Sequence, residues 1–309
     1  MKRPLSPLRL MPFAPAGVIM LLAIGLPLHI AAAPATTEDP EPGPAERDFA
    51  LRLAAEGDVR SAAVEFRRLA GQAPSAADRS GWYWAAAYHY WRIQEWAVAD
   101  RLLDHAEDAG PEFDSAINWL RATLATEQQR LREANFYWSS LLDPLPPDSP
   151  AAIVAQRRLA ASQLQRGELA TARQTLAHAP ETNEAALAAL DAYAAGHDKR
   201  PALGGALGMF PGLGYAYAGE YGNAIRSFIL NALFLFGMVD TARNDHWGGF
   251  AVITFFEITW FTGSIYGGID ASHRYNQRRL GDAVTAIQGD SAFVPDWEHW
   301  PQIRLQFRF

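Results

Sequence analysis

Two long apolar runs, residues 228–239 and 247–268, constrain this chain more than anything else in it. They follow a glycine-rich lead, residues 202–219, and the second is long enough to cross a bilayer with Glu257 as its only charge. A soluble fold rarely carries such a pair. The sequence therefore predicts a membrane-anchored protein, and the question becomes what the anchor holds.

The 309 residues suffice for about two domains, and the net charge of -7 opposes a nucleic-acid face, which needs a basic surface. The absence of cysteine excludes disulfides, zinc–thiolate sites and a cysteine-linked lipid anchor. At the N-terminus, Lys2, Arg3 and Arg9 precede an apolar segment at 16–30, and Ala33-Pro34-Ala35 fits the small-x-small cleavage rule. This reads as a secretory signal, residues 1–35, cut after Ala35, with an uncleaved signal anchor as the alternative. Either form places the next segment outside the cytoplasm. Residues 36–44, with Pro40, Pro42 and Pro44, form a stiff polar linker.

Residues 45–196 are alanine-rich, with apolar spacing near 3.6 and glycine or proline breaks every 12–20 residues, an all-helical pattern. A period runs through them. Ala62, Ala99, Ala134 and Ala172 are each followed four residues later by a large apolar residue: Phe66, Leu103, Trp138 and Leu176. Turn signals stand five residues before two of these alanines, at Gly57 and Gly167, and prolines follow three of them at 74, 111 and 146. On these residues the segment resembles the tetratricopeptide repeat in irregular form. The third unit departs from the pattern, its first helix shifted by one with Ile117, Leu120 and Leu124 as core, and the fourth lacks its closing proline. The resemblance implies stacked helix pairs, because one pair cannot bury its own apolar face, and a protein or peptide partner in the concave groove.

The second unit is unusually aromatic. Tyr83, Tyr90 and Trp96 read as core. Trp84, Tyr88 and Trp91, at spacing i, i+4, i+7, fall on the concave face, where they serve either as exposed partner anchors or as packing against a neighbouring helix or the membrane domain.

In the membrane domain, residues 197–276, Pro211, Gly212 and Gly214 interrupt the lead, which reads as a bent or re-entrant helix. Residues 223–241 and 247–269 read as the crossing helices. Whether the lead crosses too is open. Three crossings are favoured, because they put Arg274, Arg278 and Arg279 in the cytoplasm. Gly263, Gly267 and Gly268 offer a small surface for close helix contact. Arg226, Asn231 and Glu257 are the polar residues within the spans. Glu257 is either a functional carboxylate or one hydrogen-bonded to Asn231 or Arg226 that orders the hairpin. The Pro-Gly-x-Gly turn with the Gly263-Ser-Ile-Tyr-Gly267 and Ser272-His-Arg-Tyr-Asn276 segments is similar to small bacterial two-helix membrane domains. That resemblance implies an architecture and no activity. The tail, residues 277–309, ends in strict alternation that reads as one strand, and one strand cannot close a barrel.

No His-Glu-x-x-His array, phosphate loop or Gly-x-Ser-x-Gly elbow is present. The sequence thus predicts an all-α, non-enzymatic protein with no cofactor or metal. It would sit at the bacterial inner membrane with its repeats in the periplasm, binding a protein partner and membrane lipid. The alternative is a membrane module that moves or senses a small molecule or lipid, with the repeats as a regulatory cap.

Overall fold

The computed structural model describes residues 43–106, 113–147, 149–295 and 305–308. The expected signal, residues 1–35, and linker residues 36–42 lie outside them. Among the described residues the chain forms thirteen helices and one two-stranded ribbon.

The first nine helices are α1 (Pro44–Glu56), α2 (Val59–Gln72), α3 (Ala76–Arg92), α4 (Trp96–Ala106), α5 (Asp114–Glu127), α6 (Leu131–Leu142), α7 (Pro150–Gln165), α8 (Leu169–Ala177) and α9 (Glu184–Ala195). Pro44, expected as the last linker residue, opens α1. Each helix packs on the next in chain order.

Four of the turns share one backbone design. Gly57, Gln94, Gln129 and Gly167 take positive φ, between 58° and 84°. In each, the next residue's N–H reaches back to the carbonyl five positions earlier: Asp58 to Leu53, Glu95 to Tyr90, Arg130 to Ala125 and Glu168 to Gln163, at 2.8–3.0 Å. That bond satisfies a carbonyl the helix end would leave orphaned. Five residues after each positive-φ residue stand Ala62, Ala99, Ala134 and Ala172, each with no exposed surface. One helical turn later Phe66, Leu103, Trp138 and Leu176 are buried. Side-chain caps fix other helix starts: Asp58 on the Ser61 N–H, Ser75 on Asp78 and Ser149 on Ala152. Each contributes about 1 kcal/mol. In the irregular third unit Ile117, Leu120 and Leu124 are core, as their spacing predicts.

Beyond these come α10 (Pro201–Gly208), α11 (Leu213–Tyr217), α12 (Tyr221–Arg243) and α13 (Trp247–Gln288). Among the described residues, α12 and α13 are long and apolar enough to cross a membrane. Their large side chains, including Phe228, Leu233, Phe236, Phe255 and Ile258, point outward and are exposed. An apolar belt of that size is what association with a membrane covers.

α13 has 42 residues and is therefore ~63 Å long, about twice the hydrocarbon core. Its far end leaves the belt and enters the helical domain. Ala283, Val284 and Ile287 share a core with Leu164, Leu176 and Leu190 of α7, α8 and α9. The tail expected from residue 277 thus begins inside a helix.

Among the described residues the lead supplies no third helix of spanning length. The segment from α9 to the end of α13 starts and finishes in one core, and within it α12 and α13 are the helices of spanning length. α10, at 8 residues and ~12 Å, is too short to span. After α13, β1 (Ala292–Pro295) pairs antiparallel with β2 (Leu305–Arg308), with Ala292 opposite Arg308, and β2 lies beside α7. The terminal alternation forms a strand, and its partner is the chain just beyond α13.

Candidate functional site

The expected aromatic stripe is continuous but mostly buried. Trp84 has no exposed surface, and Tyr88 is 8% exposed. The Trp84 indole Nε1–H donates to the Ala116 carbonyl of α5 at 2.9 Å. Trp84 stacks on Tyr88 with ring centroids 5.5 Å apart, Tyr88 meets Trp91 at 5.5 Å, and Trp91 meets Trp119 edge-on at 5.9 Å. As exposed anchors, Trp84 and Tyr88 are therefore corrected. The face they occupy is covered because α3 packs on α5 as well as on α2 and α4. Tyr83 and Trp96, expected in the core, are only partly buried, whereas Tyr90 is core as expected.

The ladder reaches open space at its far end. Trp91, Trp119 and Trp138 line a cavity of about 320 Å³, with Glu127, Arg158 and Ser291 on its wall. Partial loss of water pushes the Glu127 carboxyl above the ordinary carboxylate range, against the opposing pull of the Trp91 indole and the Arg158 charge. The Trp91 and Trp96 indole N–H groups face the Glu127 carboxylate, and the buried Ser291 Oγ completes no hydrogen bond among the described residues. Aromatic faces, one acid, one base and an unused hydroxyl suit a peptide or other mixed polar–apolar ligand. Sequence reasoning found Trp91 and missed the rest, which come from three further helices and the start of the ribbon.

The membrane residues fall into three settings. Pro211 and Gly212 make the turn between α10 and α11, and Gly214 lies within α11. Gly212 takes φ 90°, and a Cβ there would strike the Ala224 carbonyl. A Cβ on Gly214 would lie 2.8 Å from the Gly268 Cα, and Gly204 and Gly268 meet backbone to backbone. The small surface of α13 thus receives the lead through Gly267 and Gly268, whereas Gly263 faces open space.

Asn231 and Glu257 are both buried in the domain. Ser227 and Ser264 hydroxyls meet across the α12–α13 seam at 3.2 Å, and Asn231 Nδ2 donates to the Ser227 carbonyl at 2.6 Å. Glu257 Oε2 and Asn231 Oδ1 find no hydrogen-bond partner among the described residues. The expected pairing of Glu257 with Asn231 or Arg226 is not formed. Arg226 is exposed and lines a separate cleft nearer the helix ends.

A polar clamp closes this end of α13 against α9 and the segment that follows it. Arg274 grips Glu220 through two bonds, Nε to Oε1 at 2.9 Å and Nη2 to Oε2 at 2.7 Å, which hold the Glu220 carboxyl below its ordinary range. Lys199 lies over the rings of Tyr217 and Tyr275, and Asn276 accepts from its N–H and donates to its carbonyl. Arg279 covers the Tyr193 ring at 4.2 Å and pairs with Asp198. These contacts join α13 to the end of α9.

Among the described residues no group of three histidine, aspartate or glutamate side chains is placed to hold a metal ion. No family model, curated protein or solved structure matches the chain.

Proposed function

We propose that the protein is a non-enzymatic, membrane-anchored scaffold. Its helix pairs form a tetratricopeptide-like solenoid, and they bind a protein partner in the periplasm. The repeated turn, alanine and large apolar residue support the solenoid reading. The observation that carries the proposal is α13: one unbroken helix runs from the apolar belt into the core of the helical domain. A partner held at the Trp91–Trp119–Trp138 cavity is thereby held at a fixed place relative to the bilayer. Such a device suits envelope assembly, secretion or membrane-protein biogenesis.

In this reading α12 and α13 cross the inner membrane, and the N-terminal signal exports the repeats. Arg274, Arg278 and Arg279 then lie on the periplasmic side. Their pairing with Glu220, Asp270 and Asp198 supports that placement by neutralising the charges that would oppose it. The test is photo-crosslinking of the full chain in cells from a photoreactive residue at Thr123, on the cavity wall. A discrete protein adduct that disappears with Glu127→Lys supports the scaffold. Crosslinking no different from that at exposed Glu181 opposes it.

One observation favours the second reading, in which the membrane domain is the working part: Glu257 presents a buried oxygen without a partner. Loss of function in Glu257→Gln, with partner binding intact, would select it.

A further inference from the structure

The cleft beside Arg226 has the form of a phospholipid site. It encloses about 430 Å³ between α11, α12 and α13. Tyr215, Asn223 and Arg226 line the end next to the Glu220–Arg274 clamp, where the spans emerge from the belt. Leu230 and Trp260 line the other end, about one helical turn, ~6 Å, further into the spans than Ser227 and Ser264. The wall therefore grades from polar and cationic at headgroup level to apolar at acyl-chain depth. Gly263 borders open space, since even a Cβ there would meet no atom within 4 Å.

The charge of the cleft is one-sided. Its wall holds one cation and no carboxylate. Glu220 and Asp270 are both engaged by Arg274, and Arg226 forms no ion pair among the described residues. A guanidinium in an apolar span is costly unless it meets an anion or water at the interface. Its planar fork matches phosphate oxygens.

We propose that this cleft holds one anionic phospholipid, its phosphodiester on Arg226 and an acyl chain against Leu230 and Trp260. The inference is independent of the repeat groove and of what the repeats bind. It gives the anchor a second task, selecting the lipid around it.

The test uses the full chain, purified in detergent and delipidated, then given phosphatidylglycerol, phosphatidylcholine or inorganic phosphate, with bound lipid read by native mass spectrometry. Phosphatidylglycerol should be retained about tenfold over phosphatidylcholine. Arg226→Gln should reduce that preference to within about twofold, and Arg226→Lys should keep part of it. Gly263→Leu should fill the cleft and lower retention of both lipids. Equal retention of the two lipids by the wild-type chain overturns the proposal, as does an unchanged preference in Arg226→Gln. Displacement of the lipid by millimolar inorganic phosphate would show that the site reads a free anion instead. If Gly263→Leu changes the oligomeric state and leaves lipid retention intact, the occupant is a second copy of the chain, and the proposal is wrong.

Discussion

The indole of Trp84, on α3, donates to the Ala116 carbonyl, on α5, at 2.9 Å. The bond ties the first helix of one pair to the first helix of the next, 32 residues on, so it reports on stacking rather than on either pair alone. Trp84→Phe removes the donor and the pyrrole part of the indole, and should cost roughly 1–3 kcal/mol. Trp84→Ala leaves a cavity and should cost roughly 3–5 kcal/mol. Trp91→Ala, at the partly exposed end of the ladder, should cost less than Trp84→Ala and weaken crosslinking at the cavity. Thermal melts of the full chain followed by circular dichroism rank the three. Equal losses at positions 84 and 91 would place both in one core.

Gln94 and Gln129 hold a backbone conformation that a β-carbon disfavours by about 1 kcal/mol. Gly57 and Gly167 occupy the equivalent positions without that cost. Gln129→Gly should therefore raise stability by roughly 0.5–1 kcal/mol, less the extra entropy glycine brings to the unfolded chain. Urea unfolding of this single variant measures it. A loss of stability would mean that the glutamine side chain matters more than the turn.

His89, beneath the rings of Phe66 and Tyr88, is fully enclosed. Burial, helped by Arg92, lowers its pKa from 6.5 to about 4. The unfolded chain then binds more protons than the folded one between those values. The stabilising term is present above pH 6.5 and is lost as pH falls toward 4, on the order of 3 kcal/mol in total. A melting temperature that falls over that window in the wild type, and falls less in His89→Phe, is the expected result. Parallel pH profiles would remove His89 from the explanation.

Much of the helical domain was legible because its signals are local. Ala62 and Phe66, or Ala172 and Leu176, lie one turn apart on a single helix, and their spacing alone forecasts their burial. Gln94 and Gln129 were not legible as turns, because glutamine carries no turn preference and the geometry is imposed by the helices on either side. Trp84 was misplaced for a related reason. Periodicity shows which residues share a face, but not that a second helix covers that face. The cavity wall was legible only at Trp91, since Trp119, Glu127, Trp138 and Arg158 are brought together by packing. α13 looked like a span ending near Ile269 because hydropathy fades there, although the helix continues for five more turns on amphipathic contacts with α7 and α9.

Gly204 and Gly268 provide a sharper test of the lead segment. Leucine at either position would strike backbone rather than a movable side chain. Gly268→Leu should undock α10 and α11, exposing the α13 surface they cover and increasing proteolysis near residues 209–212. Gly263→Leu, one turn away over open space, should leave proteolysis unchanged. Identical patterns in the two variants would show that the backbone contact does not hold the lead.

The most direct test of the central claim uses the fact that the chain has no cysteine. Single cysteines placed at Glu181, Asp245 and Asp290, all exposed, can be labelled in intact cells and again after permeabilisation with a maleimide that does not cross the inner membrane. Positions 181 and 290 should label together in cells whose inner membrane is intact, and position 245 only once that membrane is opened. Labelling of 181 and 290 from opposite sides would contradict a helix that runs from the membrane into the core formed with α7, α8 and α9.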